Sequence, residues 1–301
     1  MSELTVIRCN QNYNAWKAVR GEVGWAFAGT FRPFERTTAA DLVTDAVLSQ
    51  VPRVTVDITD AAKGPAPWDT LPRAMSDAVR DAVARGDKVL SLNGYCMLAP
   101  AVAGGILRGL PAESKLGVVW LDAHFDDIVL ETTSVEETTL VGIPLSTLIG
   151  CTAEDWRIAS CKLDTPLPAS HVLHADGRVW VPEEMDTATA SGMRLVDEEG
   201  FADFAGWQRE VADLAQEVDA LYVMYDADVM ASEWVPGFYR AEPGGLSRDE
   251  VLARLQCVME TGKVVAASTW CFDFDRDPAD VEVNAATQAS VVETILRGWG
   301  W

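Results

Sequence analysis

Seven short stretches of the chain are rich in Val and Leu and mostly apolar on both faces: Leu4 to Cys9, Arg53 to Ile58, Lys88 to Leu92, Leu116 to Leu121, His171 to Leu173, Ala220 to Tyr225 and Lys263 to Trp270. Between them, apolar residues return at three- and four-residue spacings over Ala39 to Leu48, Leu71 to Ala84, Ala99 to Gly109, Phe204 to Glu217, Arg248 to Glu260 and Ala286 to Arg297, the pattern of helices that bury one side. Strands without a polar face, alternating with such helices, predict a three-layer α/β fold with a mostly parallel sheet covered by helices on both faces. The Pro- and Gly-rich stretch Asp60 to Pro72 reads as a loop, as does Asp176 to Gly192. Ser247 and Glu250 form a capping-box pattern ahead of a helix. Residues 10–50 carry no clear pattern beyond a helix and a turn. At 301 residues the chain is long enough for one large α/β domain, taken as residues 1–301.

Two of the apolar runs end in acidic and imidazole side chains. The first continues into Asp122-Ala123-His124-Phe125-Asp126, and on an extended segment alternate side chains share a face, so Asp122, His124 and Asp126 are expected to point together. The second runs into Asp226-Ala227-Asp228, which adds two carboxylates. Both groups fall beyond the carboxyl ends of strands, where open parallel sheets hold their ligands. Oxygen donors with one imidazole suit Mn²⁺ or a similar divalent ion, and five such groups are more than one ion needs. A pair of divalent ions is therefore expected.

The order Asp-Ala-His-x-Asp, then Asp-x-Asp, then Pro236-Gly237 and Pro243-Gly244-Gly245-Leu246-Ser247 resembles the ureohydrolases, the family of arginase, agmatinase and formiminoglutamase, from about residue 85 to the C-terminus. The resemblance implies an arginase-like fold, two divalent ions (Mn²⁺ first) and metal ligation by Asp122, His124, Asp126, Asp226 and Asp228, with Asp126 also accepting a hydrogen bond from the attacking water. It also shows where this chain departs. The family's Gly-Gly-Asp-His-Ser segment corresponds to Asn93-Gly94-Tyr95-Cys96-Met97, which puts Cys96 at a metal-ligand histidine. Cys96 has three readings: a thiolate ligand that brings Zn²⁺, Co²⁺ or Fe²⁺ into competition, an unligated buried thiol, or a nucleophile. Val141 stands at the family's proton-shuttle histidine, before Gly142-Ile143-Pro144. Asp273 is the candidate for the carboxylate that meets a guanidinium group near the last strand. Ala231-Ser232 replaces an Asp-Pro that supports the family's site, and Asp127 to Leu140 lacks the pattern that recognises the amino-acid end of arginine. His171 and His174 read as satisfied histidines, with His174 an alternative replacement for a lost ligand or shuttle.

The expected activity is hydrolysis of a C–N bond in a guanidine, hydroxyguanidine or related linear amidine by metal-activated hydroxide, in specialised metabolism and with relatives among N-hydroxyarginine hydrolases. The competing expectation is a family member that has lost catalysis and keeps one ion for binding or structure. Composition narrows the partners. A net charge of −22 repels phosphate backbones and anionic membranes, which excludes nucleic acid and membrane surfaces and suits a cationic small molecule. No apolar run approaches the ~18 residues of a membrane span, and the first residues lack a signal-peptide pattern. The six cysteines contain no CxxC pair and read as reduced residues of a cytoplasmic protein. The resemblance alone implies a homo-oligomer.

Overall fold

The computed structural model describes residues 3–11, 16–22, 24–34, 39–238 and 240–301. The apolar runs form strands β1 (Leu4–Arg8), β4 (Arg53–Asp57), β5 (Lys88–Leu92), β6 (Leu116–His124), β8 (Val172–Val179), β10 (Ala220–Asp226) and β11 (Val264–Trp270). With β9 (Arg194–Asp197) they make an eight-stranded sheet in the order β4-β1-β5-β11-β10-β6-β8-β9. Every pairing in it is parallel. Parallel strands require crossover connections. These are supplied by α1 (Ala39–Ala46), α2 (Pro67–Ala84), α3 (Ala99–Gly109), α4 (Pro144–Leu148), α5 (Glu154–Ala159), α6 (Pro182–Ser191), α7 (Glu198–Ala202), α8 (Phe204–Glu217), α9 (Arg248–Met259) and α10 (Pro278–Trp299). Helices α2, α3, α4 and α5 pack as one layer, and α1, α10, α9 and α8 as the other. The strands buried between these layers carry Trp120, Tyr222, Tyr225 and Trp270, all inaccessible to solvent.

Several expectations shift, each for a local reason. Helix α2 begins at Pro67 instead of after Pro72, because the carbonyl of Trp68 that loses its donor at Pro72 accepts the indole N–H of Trp156 at 2.7 Å. The stretch expected as a loop from Asp176 to Gly192 contains the end of β8 and the whole of α6. That helix is too polar to signal itself, with only Glu184 and Ala188 buried. Helix α10 starts at Pro278, capped by Asp277, eight residues before the periodic apolar stretch. Residues 17–28, which had no assigned role, form β2 (Lys17–Gly21) and β3 (Gly24–Ala28) of a separate antiparallel sheet completed by β7 (Glu137–Thr139). This small sheet delivers the turn Leu140–Gly142, tied to Trp16 by a backbone bond of 2.7 Å. The capping box at Ser247 and Glu250 is formed.

The layer of α2 and α3 depends on glycine at its contact. A side chain at Gly105 would meet the carbonyl oxygen of Ser76 and Cβ of Val79, both at 2.6 Å. Overpacking of this kind costs roughly 1–3 kcal/mol, against a helix-propensity gain of ~1 kcal/mol from alanine. Gly105→Ala is therefore expected to lower the urea unfolding midpoint, and an unchanged or raised midpoint would show that the two helices separate freely.

Candidate metal centre

The four central strands β5, β11, β10 and β6 end side by side, and each contributes to one cluster. Beyond β5, Asn93 takes a left-handed conformation (φ 59°) and the chain turns through Gly94 into Cys96. Beyond β11, Cys271 is also left-handed (φ 62°), and its N–H donates to the carbonyl of Gly94 at 3.0 Å. That bond brings the two exit loops together. Gln288 of α10 adds a second tie, donating to Thr269 at 3.0 Å. The side chains of Cys96, Cys271 and Asp226 consequently present ligand atoms within 4.8 Å of one another, all buried.

A second triad lies one strand further along, where Asp122, His124 and Asp228 also converge within 4.8 Å. Nδ1 of His124 is 2.8 Å from an Asp228 oxygen and 3.6 Å from Asp122. Nε2 of the same ring lies 3.2 Å from Glu242. The expected alternation of Asp122, His124 and Asp126 holds for the first two only. The β6–β8 register shifts between Asp122 and His124, and Asp126 is left-handed (φ 55°), which turns its carboxyl toward Cys96.

Burial dominates the electrostatics. It raises Asp122 to about 7, helped by the charge of Asp228, and holds Asp126 and Asp226 well above the ordinary carboxylate range. It also works against the charges of His124 and Asp228. Their mutual attraction prevails, so the imidazole rises to about 12 and Asp228 stays below its usual value. Burial pushes Cys96 well up. Asp126 Oδ2 is buried without a hydrogen-bond partner. Crowded anionic donors with an unsatisfied oxygen among them fit divalent cations, which favour ionised carboxylates and thiolates. An ion bound at Nδ1 of His124 would displace the proton there and leave Nε2–H to donate to Glu242, the arrangement that fixes ligating histidines.

Support that the sequence left open comes from Arg178. Its buried guanidinium pairs with Asp176 and donates to the carbonyl oxygens of Asp228 at 2.7 Å and Pro243 at 2.8 Å. It thus binds the Asp226–Asp228 turn to the Pro-Gly-Gly segment.

A cavity of about 250 Å³ opens over both triads, bordered by Cys96, Cys271, Val141, Glu184, Arg240 and Glu242 among others. Its size suits a small molecule. Val141 does stand on this wall. Asp273 does not: its carboxylate accepts from the N–H of Asp275 at 2.9 Å and from Arg276 at 3.1 Å, so its expected contact with substrate is withdrawn. His174 is buried, held low at about 4 by desolvation, and accepts no role at the cavity, with Nε2 against the His124 carbonyl at 2.8 Å. His171 lies against the Leu116 carbonyl at 3.2 Å. Cys271, Glu184, Arg240, Glu242 and Arg178 were missed. The last-strand stretch Trp270-Cys271-Phe272-Asp273 pointed to the right place, but the search for an acid passed over the thiol.

A parallel sheet with two helix layers and acidic, histidine and thiol groups gathered at its carboxyl edge defines a three-layer α/β protein with a candidate metal centre. The model of the arginase family matches residues 33–296, and the chain belongs to that family. The match begins well before residue 85. Arginase of Eremothecium gossypii is 29% identical over 253 residues, covering 80% of this chain and 58% of the relative. Arginase of Brucella melitensis is 27% identical, covering 64% of this chain and 63% of the relative. The chain therefore spans less than two thirds of the length of these relatives. Three solved structures share the fold. Arginase of Bacillus subtilis superposes with a TM-score of 0.75 at 18% identity over 98% of each chain. Arginase of Entamoeba histolytica, in complex with L-ornithine, gives 0.76 at 17% identity over 98% of this chain and 99% of its own. Formimidoylglutamase of Bacillus subtilis gives 0.73 at 14% identity, covering 99% and 87%.

Removing the carboxylate behind His124 tests the second triad. Glu242→Gln is expected to weaken divalent-metal affinity by ~10–100-fold, read by isothermal titration of metal-free protein. Unchanged affinity would mean that Glu242 does not orient the imidazole.

Proposed function

We propose that the chain is a dimetal-dependent hydrolase that cleaves a C–N bond of a small guanidine, hydroxyguanidine or linear amidine. The observation that carries this reading is the pair of adjacent triads under one small cavity, Cys96–Asp226–Cys271 and Asp122–His124–Asp228. Two divalent ions held by these triads would acidify a water and so supply hydroxide near neutral pH. The chain's own residues do the rest. Asp126, whose carboxyl adjoins Cys96 of the first triad, would hold the reacting water in place by accepting a hydrogen bond from it, and Asp226 belongs to that triad as a ligand. Glu184 gives the cavity an acidic wall suited to a cationic guanidinium, while Glu242 is held by Arg240 and His124, so that the Arg240–Glu242 pair presents a donor and an acceptor together to a polar substituent on the same molecule. Glu184 is anchored by the N–H of Val181 at 2.9 Å.

Val141 lines the cavity where the family's proton shuttle is expected, so proton delivery to a strongly basic leaving group is weak. This favours a less basic substrate than arginine, such as a hydroxyguanidine. Manganese is the first candidate for the His124 triad because of its oxygen and nitrogen donors. Six free thiols suit a reducing cytoplasm. Among the described residues no helix is long and apolar enough to cross a membrane.

The test is turnover by metal-loaded protein on a panel of guanidines, hydroxyguanidines and amidines, followed by chelation. Release of a urea- or amide-type product, lost on chelation and restored by added metal, is expected, with hydroxyguanidines ahead of arginine. One bound ion or none, with no turnover across the panel, would favour the alternative, a protein that keeps a metal for binding or structure.

A further inference from the structure

We propose that the centre is chemically divided, with Cys271 acting as a second thiolate ligand beside Cys96, so that one of its two sites takes a thiophilic ion such as Zn²⁺ while the other takes a harder ion. This deepens the reading of the cavity floor as a metal centre and rests on it.

Three observations bear on the same four residues. Cys96, Cys271 and Asp226 place their donor atoms within 4.8 Å of one another with none exposed. The two thiols are brought together by the fold itself, since they leave neighbouring strands and their loops share the Cys271 N–H to Gly94 bond of 3.0 Å. Asp126, only 6% exposed, carries an oxygen with no hydrogen-bond partner, and its carboxyl adjoins the Cys96 thiol. Two sulfurs and two carboxylates are a four-donor set, the number that Zn²⁺ adopts in a tetrahedral site. Thiolate donors select Zn²⁺ over Mn²⁺, whereas carboxylate and imidazole donors accept either. No cysteine belongs to the Asp122, His124 and Asp228 triad.

Charge follows from the same donors. Cys96, Cys271, Asp126, Asp226, Asp122 and Asp228 are six anions once metallated, against four positive charges on two divalent ions. Arg178, at the Asp228 carbonyl, is neutralised by its own ion pair with Asp176 and leaves the excess in place. The remaining negative charge favours a cationic substrate above it.

The experiment is a titration of reduced, metal-free full-length protein with Co²⁺, followed by electronic absorption, for the native chain, Cys96→Ser and Cys271→Ser. The expected result is a near-ultraviolet thiolate-to-cobalt charge-transfer band that saturates at one equivalent and loses about half its intensity in each variant. Zn²⁺ abolishes the band at stoichiometric amounts, and a hundredfold excess of Mn²⁺ leaves it. Each variant should also weaken Zn²⁺ binding by at least the ~10-fold that loss of an outer partner costs. Far-ultraviolet circular dichroism checks that both variants fold. Cobalt bound without the band, or a band of full intensity in Cys271→Ser, overturns the proposal and leaves the metal centre standing. No cobalt bound at all overturns both.

Discussion

The site depends on one constraint, the parallel pairing of β5, β11, β10 and β6 as consecutive neighbours. Parallel pairing forces all four carboxyl ends to one edge of the sheet, and the helix layers cover the two faces of the strands that lead to it. Residues separated by up to 175 positions, Cys96 and Cys271, thereby come within ligand distance. Nothing in either local segment would do this. The β5 to β11 ladder, from Val89–Ala266 to Leu92–Thr269, and the Cys271 to Gly94 bond that prolongs it, set the spacing of the two thiols.

The apolar runs made the inner strands of the sheet legible because strands buried on both faces leave no polar alternation to confuse, whereas the edge strand β4, with no buried residue, was legible only through Val54 and Val56. Asp122, His124, Asp226 and Asp228 were legible for a related reason, since charged residues directly after such runs have only the sheet's mouth to occupy. The pattern was silent where burial is partial or polar. Strand β9 lies at the sheet edge with Leu195 exposed, and β3 alternates between half-buried and exposed positions. Helix α6 buries two residues, and α2 was cut short at a proline whose lost hydrogen bond is replaced from a tryptophan 84 positions further on.

Within the site, alternation failed at one residue with a large consequence. A left-handed Asp126 turns its carboxyl to the Cys96 side, which leaves Asp122 and His124 to be completed by Asp228 from the neighbouring strand. The supporting residues were illegible for a topological reason. Arg178 sits at the end of β8 and Glu242 in the segment before α9, so neither is adjacent in sequence to the group it orients. Asp273 illustrates the converse, a residue in the right segment whose carboxyl turns to its own loop.

Two metal positions of unlike chemistry at this edge should be visible to anomalous scattering from crystals grown with both Zn²⁺ and Mn²⁺, with data collected on either side of each absorption edge. Two peaks ~3.5–4 Å apart are expected, zinc against Cys96 and Cys271 and manganese against Asp122, His124 and Asp228. A single peak, or no zinc signal beside the two sulfurs, would rule out a divided centre.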